Sequence, residues 1–135
     1  MFKTGKGNYR VSDSTRARFY VNLSNNFEYK PYLDFFNIKK FRIALTKFRV
    51  SSHRLSVEVG RWHRPNPIQH ENRLCNCLGV VEDEYHFLLE CTLYSNIRHV
   101  YICRRYYHHP NRPKFLELMS STNETHIKKY CHFHL

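Results

Sequence analysis

The chain has 135 residues, with 22 Lys and Arg against 11 Asp and Glu, and a formal charge of +11 at neutral pH. Hydrophobic residues make up 41% and aromatics 16%, which excludes a disordered tail and allows one domain with a modest core. No apolar run approaches a membrane span, and MFKTGKGNYR lacks the apolar centre of a secretory signal, so we expect no membrane and an intracellular setting, nucleus or cytoplasm.

Residues 1–30 read as a loosely ordered basic segment, in which Ser12-Asp13-Ser14 caps a short helix carrying Phe19, Tyr20 and Leu23. Pro31 opens the next stretch at a position where proline is tolerated. Residues 31–109 form the expected helical domain. Its clearest element is an amphipathic helix over residues 35–50, where Ile38, Phe41, Ala44, Leu45 and Phe48 share one face. Lys39, Lys40, Arg42, Lys47 and Arg49 fan over the other side. No Asp or Glu stands between Asp34 and Glu58, so that side cannot neutralise itself. It is the candidate phosphate-binding surface, against the plain alternative of a solvated charged face.

Residues 53–59 continue as a second short helix ended by Gly60. Arg61 and Arg64 then join the candidate nucleic-acid surface on a connection that Pro65 and Pro67 keep extended. Trp62 lies between them, either stacked on a base or anchored in the core.

Cys75, Cys77, His86 and Cys91 follow. Three thiolates and an imidazole make a complete tetrahedral shell for Zn2+, with no position left for water or substrate. The alternative is a set of buried core cysteines beside a core histidine. Gly79 lets the chain reverse after the Cys-x-Cys pair. His86 and Cys91 are five apart and would not share a face of an unbroken helix. We therefore expect His86 on a short helix over residues 82–89, with Cys91 just past its end. Glu82, Asp83 and Glu84 suit the positive end of that helix. A rival reading makes Asp83, Glu84 and His86 general acid/base groups.

After Cys91, Thr92 is placed to cap a helix with Leu93, Ile97, Val100 and Tyr101 inward. His108-His109-Pro110 breaks it. Residues 110–135 hold a last helix carrying Phe115, Leu116 and Met119, and the end has no terminating signal, as in a truncated frame. Cys103, His108, Cys131 and His134 are a possible second metal set without a spacing signal.

The segment RLCNCLGVVEDEYHFLLECTLYSNIR, from Arg73 to Arg98, resembles the zinc-binding segment after the polymerase domain in reverse transcriptases of non-LTR (LINE-type) retrotransposons. Cys75 and Cys77 match the pair, Glu82-Asp83-Glu84 the acidic run, and His86-Phe87 with Cys91 the second half, followed by Tyr94 and Arg98. The family more usually has two residues inside the cysteine pair, where this chain has one. The resemblance implies a zinc-binding module that engages RNA or DNA. No paired-aspartate polymerase motif, phosphate-cradling glycine loop or nucleophile motif is present, so we expect no catalysis. The reading is a mostly helical domain of short helices around one structural zinc, binding nucleic acid. The alternatives are a protein-interaction module and an inactive retroelement fragment.

Overall fold

A computed structural model describes residues 30, 33–34, 36–77 and 79–133. The short helix expected near the N-terminus, its Ser12–Ser14 cap, Pro31 and His134 lie outside the described residues. The protein is mostly helical, and the described residues contain no strand beyond one antiparallel bridge between Leu74 and Val81.

The amphipathic helix is α1, Lys39–Arg49. It begins later than expected, and Ile38, at its N-cap, is exposed rather than inward. Leu45 and Phe48 are fully inside, each contributing about 1.5–3 kcal/mol by burial. The helix closes with Ser51 at φ 55°: Ser51 N–H bonds Phe48 O at 3.1 Å, and Ser52 N–H bonds Lys47 O at 2.7 Å. That pair is a Schellman closure made with serine at the left-handed position where glycine is usual.

α2, Ser56–Val59, runs into a 3-10 turn, Gly60–Trp62. Gly60 is not the left-handed cap expected of it, because its φ is −61°. Its need is spatial: a Cβ there would lie 2.6 Å from Arg73 Cγ. Arg73 is buried against it, donating from Nε to Ile68 O and from Nη1 to Val57 O, both at 2.9 Å. Arg73 thereby ties α2 to the start of the cysteine segment.

The chain after Cys91 departs most from expectation. A 3-10 turn, Thr92–Tyr94, leads into α3, Ser95–Tyr101, with no side-chain cap from Thr92. Leu93, Ile97, Val100 and Tyr101 were expected inward; Tyr101 does pack against the core, but the other three are exposed, Val100 at 67%. The buried stripe sits one residue on, with Arg98 inside and Tyr94 and Tyr101 packed against the core. The period is right, and the phase fails at three of the four positions, because Arg98 turns in to bond carbonyls that an apolar side chain could not.

α4, Arg104–Tyr107, and α5, Arg112–Ser120, follow, the latter capped by Asn111 Oδ1 on Lys114 N–H at 2.9 Å. The single terminal helix is split at residues 121–123, and Asn123 caps α6, Glu124–Phe133, by accepting from His126 N–H at 3.0 Å. α6 packs on α1 and α3. Ile127 and Cys131 thus share one core with Phe48, Leu88, Phe115 and Met119. No helix among the described residues is long and apolar enough to cross a membrane.

Candidate metal centre

The cysteine turn is held from both sides. Cys75 N–H donates to Val80 O at 2.7 Å and Glu82 N–H to Arg73 O at 2.9 Å, while Gly79 takes φ 69° between them. This left-handed residue closes the loop that aims Cys75 and Cys77 inward.

The other two donors come from a π turn, His86–Glu90, which follows one α-helical step at Glu84 and Tyr85. Cys91 N–H bonds His86 O at 2.7 Å. That i→i+5 bond solves the five-residue spacing, since the wider turn returns Cys91 beneath His86 where an α-helix would not. Asp83 caps the start, its Oδ1 accepting from His86 N–H at 2.8 Å. Arg98 holds the end. From a buried position its Nε donates to Leu88 O at 2.7 Å, and its Nη2 donates to Cys91 O at 2.7 Å and Phe87 O at 3.2 Å. Cys91 O also accepts a long bond from Tyr94 N–H at 3.4 Å, and the guanidinium fork draws the three carbonyls together. Burial holds the Arg98 pKa below its ordinary value, opposed by the nearby Cys91, Glu90 and Tyr107.

All four expected ligands converge. Their donor atoms lie within 4.8 Å of one another, with Cys75 Sγ 3.6 Å from Cys91 Sγ and Cys77 Sγ 3.1 Å from His86 Nε2. Tetrahedral zinc, with Zn–S of ~2.3 Å and Zn–N of ~2.0 Å, separates such donors by ~3.5–3.8 Å, so the cluster can hold a metal after the closest pair widens and the wider ones draw in. His86 offers Nε2 to the cluster, while its Nδ1 is buried without a hydrogen bond, 3.6 Å from Glu90 Oε2. A carboxylate there suits a ligating imidazole, whose other nitrogen is commonly oriented by one. Burial, more than the neighbouring thiols, pushes the Cys75 thiol up to about 12, so metal binding must displace its proton.

The acidic run has structural work at each position. Glu82 Oε2 accepts from Ser56 N–H at 2.7 Å and from Ser56 Oγ at 2.5 Å. Glu84 Oε1 meets His53 Nε2 at 2.8 Å, and Asp83 Oδ2 accepts from Arg112 at 3.0 Å. Glu84 and His86 are buried, and Asp83 is half-buried against Arg112. Of the second metal set, the three described members do not gather into a site. Cys103 and His108 are exposed while Cys131 is in the core, and only the first cluster gathers three or more such ligands among the described residues.

The basic surface is placed beside this centre by aromatic contacts. Phe48 of α1 meets Phe87 at 6.1 Å between ring centroids, and Phe87 meets Tyr94 edge-on at 4.7 Å. Lys39, Lys40, Arg42 and Lys47 are exposed on α1 as expected. Arg49 is not: it is 5% exposed, turned inward beside Cys131 at the end of the helix. Arg61 is also largely engaged, its Nη1 donating to Glu58 Oε2 at 3.1 Å and its guanidinium lying 5.5 Å from the Trp62 ring centroid. Arg64 is exposed. Trp62 is 55% exposed, so it is no core anchor. The roles of Glu90 and Arg98 at the metal site were not expected from the sequence. Glu90 was within reach of sequence as the i+4 partner of His86; nothing in the pattern marks Arg98 as a clamp.

No protein-family model, curated protein or solved structure matches the chain.

Proposed function

We propose that the protein is a nucleic-acid-binding module, folded around one Zn2+ held by Cys75, Cys77, His86 and Cys91, which grips backbone phosphates and performs no chemistry. Three thiolates and an imidazole favour zinc over harder cations, and four protein ligands leave no open position on the metal. Bound zinc would supply a staple between the cysteine turn and the π turn, as in domains where metal binding and folding are one event. The resemblance to the zinc-binding segment of non-LTR retrotransposon reverse transcriptases supports the same reading.

The observation that carries the binding role is the face of Lys39, Lys40, Arg42 and Lys47, all exposed, on a helix fixed to the metal segment through Phe48 and Phe87. Each cation on a phosphate displaces counterions, so affinity falls linearly with salt on logarithmic axes. The test is a salt titration on a labelled RNA and a duplex DNA. Replacing Lys39, Lys40, Arg42 and Lys47 with Gln should flatten the slope by up to about one unit for each phosphate no longer neutralised, with native circular dichroism retained. Unchanged slope and affinity on both would remove α1 from the interface.

A second reading, a protein-interaction module, draws on the exposed stripe of Leu93, Ile97 and Val100. Apolar docking hardly responds to salt, so the same titration on any captured partner separates the two.

A further inference from the structure

Between α1 and the metal segment runs a groove of about 600 Å³ whose floor includes Ala44, Phe48, Phe87 and Tyr94. Lys40, Lys47 and Arg54 stand exposed around it. The floor is aromatic and apolar, and the rim is cationic. Such a recess suits a flat apolar ring attached to an anion. One carboxylate, Glu82, also lines the groove. Its Oε2 is engaged by Ser56, and its other oxygen remains an acceptor, suited to a base amino group rather than a phosphate.

We propose that this groove takes an unpaired base of a single-stranded nucleic acid against Phe87 and Tyr94, with the adjoining phosphates on Lys40, Lys47 and Arg54. A paired base stacked within a duplex cannot enter a recess of this kind, so the site selects unpaired strands. The track continues. Ser52, His53 and Arg54 also border a second hollow, which the exposed Trp62 and the buried Glu58 line as well. Arg54 is thus shared between the groove that Tyr94 lines and the hollow that Trp62 lines, so a strand following it has an aromatic ring available in each. Aromatic platforms alternating with cations are how unpaired strands are held without sequence preference. An aromatic peptide would fill the floor, but it leaves the three rim cations without anions.

This inference rests on the nucleic-acid reading and is tested apart from it. Fluorescence anisotropy would follow short labelled oligo(U), oligo(dT) and an RNA duplex binding to the zinc-loaded protein. Trp62→Ala removes an exposed ring, and Ala44→Leu fills the floor while keeping its aromatic rings and the lysines. Each should weaken both single strands by about tenfold and leave the duplex within about twofold. The ratio of oligo(U) to oligo(dT) affinity tells RNA from DNA. If both variants, natively folded by circular dichroism, hold single strands as tightly as the parent, the groove inference fails. If the glutamine variant of α1 then still weakens all three probes, the phosphate reading stands alone. If the parent binds none of the probes, both fall together.

Discussion

Arg98→Met offers the sharpest test of how the centre is built. Methionine keeps much of the apolar stem and removes the guanidinium that bonds Leu88 O, Phe87 O and Cys91 O. The bonds to Leu88 O and Cys91 O are buried, and the one to Phe87 O is only part-buried, so water replaces that one more easily. A buried acceptor left without a donor costs about 1–3 kcal/mol; Leu88 O bears this in full, while Cys91 O keeps a long bond from Tyr94 N–H at 3.4 Å and Phe87 O is part-buried, so the total comes to about 3 kcal/mol. Because Cys91 lies at the clamped end, the variant should also hold zinc less tightly. Arg98→Lys should recover only part of the stability, since one ammonium cannot span three carbonyls. Urea unfolding of zinc-loaded parent and variants gives the stability difference, and competition with a chromophoric chelator gives the zinc affinity. A destabilisation below about 1 kcal/mol for Arg98→Met, with unchanged zinc affinity, would refute the clamp.

Cys75→Ser and His86→Ala should each abolish the cooperative unfolding transition, whereas Cys103→Ser, at an exposed site, should shift stability by less than about 0.5 kcal/mol; equal damage from all three would mean the ligands are misassigned. Gly60→Ala should cost about 1–3 kcal/mol, because the new Cβ displaces Arg73 from Val57 O and Ile68 O, and a neutral result in thermal unfolding would contradict that packing.

What the sequence made legible follows from where single residues decide the outcome. Soft ligands at close spacing can do little else but converge, so Cys75, Cys77, His86 and Cys91 were readable before any coordinates. The helical class was readable from the period of α1, and its boundary at Lys39 was not. The π turn was hidden because spacing excludes an α-helix without saying which wider turn replaces it. On α3 the apolar stripe of Leu93, Ile97 and Val100 was legible and misleading. Hydropathy scores an arginine as outward, but three carbonyls at the end of a tight turn draw Arg98 inside. Arg49 fails for a related reason: at the last position of α1 its long side chain turns back into the interior, where a helical wheel draws it outward. The groove needed two segments far apart in sequence, so no local pattern announced it.

The most direct measurement is far-ultraviolet circular dichroism during metal removal, with zinc content determined on the same sample. We expect one zinc per chain as purified, loss of the helical signal as a strong chelator strips it, and recovery when zinc is returned under reducing conditions. A native spectrum that survives complete removal of the metal would contradict a fold organised around Cys75, Cys77, His86 and Cys91.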